Sequence, residues 1–200
     1  MLRHDGRGDS LPSDKCSSCG MNVGVYCCKD CFSPKLSCQM CVVDAHAHLP
    51  VHRVEVKVEW HLFQNVTLKD LGLRIQLGHD VGESCLLPIR AFNNDFVLID
   101  TQAIHPIAIY FCGCTKAQSH IQQLLCMGWF PATTSDPKTT ATFGVLRQFH
   151  ILSFESKVSA YEFYHSLVRL TDNTGLLKWK DQYEAFMRMV HEFRHLKMLK

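Results

Sequence analysis

Three C-x2-C pairs fall within 26 residues of this chain: Cys16 with Cys19, Cys28 with Cys31, and Cys38 with Cys41. Large apolar side chains are scarce in the same stretch, so residues 16–52 cannot build an adequate hydrophobic core and need cross-links in its place. Disulfides and metal are the two candidates. The chain has 11 cysteines, an odd number, and Met1 to Lys15 is polar, rich in Asp and Gly, with no apolar signal core. That combination predicts an intracellular chain whose paired cysteines are metal ligands in a reducing compartment.

Histidines follow the last pair at His46 and His52. A C-x2-C pair puts two thiolates on one side of a tight knuckle, where both reach one tetrahedral Zn²⁺. The order of ligand types resembles the interleaved arrangement of B-box-like fingers. On that scheme Cys16, Cys19, Cys38 and Cys41 share one ion, and Cys28, Cys31, His46 and His52 share the other. Cys27 can replace Cys28, and His48 can replace His46; the plainer alternative leaves a spare thiol and a solvated imidazole.

A third set lies further on, in LGHDVGESC and FCGC. His79 and Cys85 flank a turn in which Gly82 lets the chain double back. Cys112 and Cys114 are i, i+2 in extended chain and so share a face. If the two segments are neighbours, one imidazole and three thiols converge on a third zinc site, closed by protein on all four sides. If they are not, these are buried cysteines and a core histidine, which is where cysteine is commonly found. Cys126, on an apolar helix face, reads as core.

The remainder is ordinary globular sequence. Apolar residues make up 46% and charged residues 20% of the 200, which excludes wholesale disorder. A net charge of +2 gives no strong electrostatic case for nucleic acid. The longest mostly apolar run, 103–112, is about half the length of a membrane span. Alternation predicts strands at 54–58 and 71–77, and the runs 96–99 and 104–111 predict a hairpin. Helical periodicity appears at 117–127, 142–153, 157–170 and 177–200, with a Pro/Thr/Ser loop over 129–140. The expected fold is α+β: a polar leader (1–15), a small B-box-like cross-braced zinc finger (16–58), then a strand-then-helix domain (59–200), strands to about residue 115 and helices after. The pattern stops inside a helix, which predicts a longer parent protein.

Certain motifs are more specific than spacing. The run YCCKDCFSPKLSCQMC, then LKDLGLRIQLGH, DFVLID, FCGC, WFPATT, SKVSAYEFY and LTDNTG resembles the second subtype of the CxC-type cysteine-cluster domain, which in fungi precedes the catalytic region of KDZ-type DNA transposases. The resemblance implies that Cys28, Cys31, Cys38, Cys41, His46 and His52 hold finger positions. It implies that His79, Cys85, Cys112 and Cys114 also occupy Cys/His positions of the family. Two zinc ions are then expected in the finger and three in all. The resemblance also places the transposase catalytic region beyond Lys200.

The implied function is that of a non-catalytic zinc module of a transposase or its remnant, nuclear, assisting binding to DNA, chromatin or a protein partner, with no small-molecule substrate and no membrane. Lys178, Lys180, Arg188, Arg194, Lys197 and Lys200 on the last helix could contact phosphates, or form a solvated face. The alternative is a protein-interaction or ubiquitin-ligase-like zinc-finger protein unrelated to transposition, although ligase spacing wants a histidine inside the cysteine series. A metal-dependent nuclease needs clustered carboxylates, and Asp95, Asp100 and Asp172 make no such set in the sequence.

Overall fold

The computed structural model describes residues 15–32, 35–59, 62–80, 83–91, 95–173 and 180–199. Most of the polar leader, Gly82, Lys178 and Lys200 lie outside the described residues. Two compact units divide between Ile75 and Gln76.

In the first unit, β1 (Tyr26–Cys28), β2 (Val54–Glu59) and β3 (Leu62–Val66) form an antiparallel sheet in that order. Tyr26 lies opposite Val56, and Val54 opposite Val66. Helix α1 (Gln39–Ala45) stands between β1 and β2 in the chain; it has no side-chain cap bond, and Val42 is its one buried residue. Seven residues are too few for a helix to be stable in water unaided. The unit's interior is thin in aliphatics. Leu36, Val42, Val54, Leu68, Leu71 and Leu73 share it with Cys16, Cys27, Cys28 and Cys38.

The second unit is entered at β4 (Ile75–Gln76) and runs through β5 (Pro88–Arg90), β6 (Phe96–Ile99), β7 (Ile104–Ile107) and β8 (Ile109–Cys112). Then come α2 (His120–Cys126), β9 (Trp129–Pro131), β10 (Thr139–Thr142), α3 (Phe143–Glu155), α4 (Ala160–Thr171) and α5 (Tyr183–Met198). The four-stranded sheet has the order β7-β6-β10-β9, and the three-stranded sheet β4-β8-β5. The mixture of helices and sheets is the α+β fold expected.

Local readings change in three places. Of the strand expected at 71–77 only Ile75–Gln76 forms, because the chain before it turns at Gly72, φ +105°. The run 104–111 is not one strand of a hairpin. β7 pairs with β6, but at the buried Ala108 the chain passes into the other sheet as β8. The stretch 129–140, read as a loop, contains β9 and the start of β10. Its strands are short, and β10 is fixed by parallel pairing with the distant β6, Ala141 opposite Ile99. Non-local pairing of this kind leaves no periodic trace in so few residues.

Caps set where the helices begin. Ser119 and Gln122 form a capping box on α2, and Ser159 and Glu162 do so on α4. The Thr142 hydroxyl accepts the Val145 N–H at the start of α3. The three long helices close over one face of the sheet, where Phe149, Phe163 and Phe186 meet ring to ring at 5.1–5.9 Å around Ile99, Ala141 and Leu167.

β5 is a sheet edge among the described residues. Gly113 N–H donates to Leu87 C=O and Ala91 N–H to Ile109 C=O. The intervening Pro88 and Arg90 therefore turn their main-chain groups away from β8.

Candidate metal centres

Three sets of four side chains each gather so that their ligand atoms all lie within 4.8 Å of one another. Cys16, Cys19, Cys38 and Cys41 form one; Cys28, Cys31, His46 and His52 the second; His79, Cys85, Cys112 and Cys114 the third. Zn–S bonds of about 2.3 Å at tetrahedral angles require sulfurs about 3.8 Å apart, and a sulfur and an imidazole nitrogen about 3.5 Å apart.

In the first set the Cys16–Cys19 knuckle is closed by Gly20 N–H donating to Cys16 C=O at 2.8 Å, with Gly20 in the left-handed region at φ +68°. Cys19 Sγ lies 3.9 Å from Cys38 Sγ, and the Cys38 N–H points at Cys16 Sγ at 3.2 Å. Main-chain N–H groups of Cys19 and Cys38 pull the Cys16 thiol down to about 5. Cys41, hydrogen-bonded to the Cys38 side chain and crowded by the other sulfurs, is pushed up to about 12.

In the second set Cys31 Sγ lies 3.4 Å from His46 Nε2 and 3.5 Å from His52 Nδ1, and Cys28 Sγ is 3.4 Å from His52 Nδ1. His46 Nδ1 is 2.6 Å from the Val42 carbonyl, so that nitrogen carries the proton and Nε2 is left to face the thiols. Burial alone would raise the Cys28 thiol, but His46 and the N–H groups of Asp30 and Cys31 bring it down to about 6. Burial and the neighbouring Cys28 push Cys31 up to about 11.

Two residues that the ligand spacing did not point to hold this set together. Asp30, inside the Cys28–Cys31 knuckle, takes the guanidinium of Arg53 at 2.6 Å and the Arg53 N–H at 2.7 Å. Arg53 follows His52, so the pair ties the knuckle to the far ligand. A carboxylate two residues from one cysteine and a cation one residue from a histidine were the available signal.

In the third set His79 Nε2 lies 3.2 Å from Cys112 Sγ, and Cys85 Sγ lies 3.7 Å from Cys112 Sγ and 3.6 Å from Cys114 Sγ. Cys114 and Cys112 are brought to one side by the bend at Gly113, where a Cβ would sit 2.7 Å from the Leu87 carbonyl. Burial would raise the Cys85 thiol, yet the N–H groups of Leu87 and Gly113 lower it to about 6; Cys112 and Cys85 together push Cys114 up to about 11.

The electrostatic pattern repeats in each set. In each set at least one thiol is pulled below its ordinary value and a neighbour is pushed above it. Several thiolates cannot share so small a volume unless a cation sits among them. The distances, the soft donor atoms and this mutual repulsion all fit a dication of the zinc type. The four donors of each set come from protein. Cys27, His48 and Cys126 stand outside the sets: Cys27 is buried with its thiol toward the Cys28 carbonyl, His48 is exposed, and Cys126, expected in the core, is exposed and reaches Gln118. Among the described residues no further set of three or more His, Cys, Asp or Glu side chains gathers in this way.

Among the described residues, Lys180, expected on the last helix, precedes it, and Arg188, Arg194 and Lys197 of the helix are engaged within the fold. Arg188 donates to the Ala132 carbonyl, Arg194 donates to Ser153 Oγ and lies over the Phe149 ring, and Lys197 lies over Phe193. Among the described residues, no helix is long and apolar enough to cross a membrane.

A family model described as CxC2 like cysteine cluster associated with KDZ transposases matches residues 68–175. That span contains the whole third set and neither of the first two. No curated protein and no solved structure matches the chain.

Proposed function

The chain belongs to the CxC2-like cysteine-cluster family associated with KDZ transposases, and from that premise we propose that it is a non-catalytic, zinc-folded recognition module of a transposase or of its remnant, acting in the nucleus. The observation that carries this reading is the closure of the three ligand sets. Each presents four protein donors at tetrahedral spacing, the form of a structural site, whereas a catalytic zinc keeps one position for water. Bound ions then do for the first unit what its sparse aliphatic interior does not.

A protein surface, of the transposition or chromatin machinery, is the partner we favour over bare duplex DNA. Loading removes nine thiol protons and adds three dications, which takes the formal charge from +2 to about −1. Arg188 and Arg194 already serve internal bonds. The first unit, in turn, exposes Met21, Phe32 and Met40, side chains of the kind enriched at protein interfaces.

Elemental analysis of the metal-replete chain tests the premise: three zinc ions per chain are expected, and disulfides with no metal would overturn it. Binding to random duplex DNA across a salt series tests the partner. Weak, salt-insensitive binding is expected, and tight binding that falls steeply with salt would assign phosphate contacts instead.

A further inference from the structure

The third ligand set sits where a sheet runs out. β8 is the centre of its sheet, with β5 on one side and β4 on the other. On the β5 side Cys112 lies opposite Pro88, and the bonds that flank this pair are Gly113 N–H to Leu87 C=O and Ala91 N–H to Ile109 C=O. The N–H and C=O of Cys112 therefore point toward the β4 side. There the last strand bond is Leu77 N–H to Tyr110 C=O; at Gly78, φ +75°, the chain turns away. Cys112 is buried, so its two main-chain groups need other partners.

Gln123 of α2 supplies both. Its Oε1 accepts the Cys112 N–H at 2.8 Å, and its Nε2 donates to the Cys112 C=O at 3.1 Å and to the Gln118 C=O at 2.7 Å. The side chain is 1% exposed. One carboxamide thus stands in for the strand residue that β4 lacks. The room it occupies is left by Gly78, where a Cβ would lie 2.8 Å from Cys112 Cβ and 3.1 Å from Gln123 Oε1. The next residue is His79, whose Nε2 faces Cys112 Sγ.

We propose that Gln123 is a positioning residue for the third metal centre, holding the main chain of Cys112 so that its sulfur meets His79, Cys85 and Cys114 around one ion. The proposal rests on the reading of those four side chains as a zinc site. Gln123 hydrogen-bonds to the main chain of Cys112 rather than to its sulfur, and it acts through that backbone, as outer groups around metal sites do when they fix a ligand's orientation. Among the described residues no other side chain bonds both main-chain groups of Cys112, and either bond alone would leave one buried group unsatisfied.

The test uses the full chain loaded with the NMR-active cadmium isotope. The three sets differ in donors, four sulfurs, two sulfurs with two nitrogens, and three sulfurs with one nitrogen, so each gives its own cadmium resonance. A competing chelator is titrated into the wild-type chain, Gln123→Met and Gln123→Glu. In Gln123→Met the three-sulfur resonance should vanish at about 10- to 100-fold lower chelator, with the other two unmoved. Gln123→Glu keeps an acceptor for the Cys112 N–H and should fall between. If the methionine variant does not fold, the comparison of wild type with Gln123→Glu decides. An unchanged midpoint for the three-sulfur resonance, or equal loss of all three resonances, overturns the proposal. Absence of a three-sulfur resonance in the wild-type chain would instead overturn the zinc reading on which it rests.

Discussion

Cys38 and His46 stand at the two ends of the same seven-residue helix, and they belong to different ligand sets. Cys38 and Cys41 face the first set; His46 faces the second. Since α1 is too short to persist unaided, an ion in either set orders the helix that presents donors to the other. Cys38→Ser should therefore release both ions of the first unit rather than one, while the ion of the third set stays. Metal counting on the purified variant checks this, and loss of a single ion would show that the helix survives on one anchor.

Gly24 is set by backbone, not by conformation. A Cβ there would lie 2.8 Å from the Leu36 carbonyl oxygen and 3.1 Å from Cys16 Cα. Neither atom is the end of a flexible side chain, so the segments carrying Cys16 and Cys38 must separate. Gly24→Ala is expected to cost about 1–3 kcal/mol, read by denaturant unfolding of the metal-loaded chain, and to weaken the first set before the second. An unchanged unfolding midpoint would refute the close approach.

Two helix caps should differ in weight. Ser159 accepts the Glu162 N–H at an exposed helix start, and Ser159→Ala should cost about 1 kcal/mol. Thr142 accepts the Val145 N–H and also donates to Asp100 Oδ1 at 2.7 Å, tying the strand end of β6 to α3. Thr142→Ala should therefore cost more, near the upper end of about 2 kcal/mol seen for caps. Thermal unfolding of both variants gives the ranking, and a reversed order would mean that the Asp100 bond contributes nothing.

Tyr164 predicts the alkaline behaviour of the second unit. Burial raises its phenol to about 12, against the lowering effect of the Gln182 N–H that its oxygen accepts. The neutral form is favoured in the folded chain, so the contribution is whole below the ordinary value of 10 and is lost as pH rises from there through about 12. The stability difference between wild type and Tyr164→Phe should shrink over that window, as measured by denaturant unfolding at stepped pH. A constant difference would show that Tyr164 ionises as it would in the unfolded chain.

The ligand sets were legible because their chemistry is local. A C-x2-C knuckle brings its own two sulfurs together, and the i, i+2 step from Cys112 to Cys114 needs no more than an extended segment and a glycine. Three of the long periodic segments were legible to within three residues at their starts, whereas the last helix, expected from residue 177, begins only at Tyr183. What was hidden depends on partners distant in the chain. β9 and β10 are three and four residues long, and Ala141 is strand because Ile99 lies on one side of it and Phe130 on the other. The division of the run 104–111 at Ala108 is invisible for the same reason, since both halves are β-branched and aromatic. Gln123 reads as one polar residue in QQLLC; only the early departure of the chain at Gly78 makes its carboxamide a substitute strand.

Pro88 has a consequence for how copies of this chain behave in company. Among the described residues β5 is the edge of its sheet, and its outward-facing positions are Pro88 and Arg90, beside the exposed Leu86, Leu87 and Ile89. An apolar edge of that kind invites a second molecule to extend the ladder. Proline, without an N–H, removes one of the two donors such an extension would use, and arginine puts a charge at the other. The imino acid leaves these apolar side chains on the surface while denying the backbone part of the template for edge-to-edge growth.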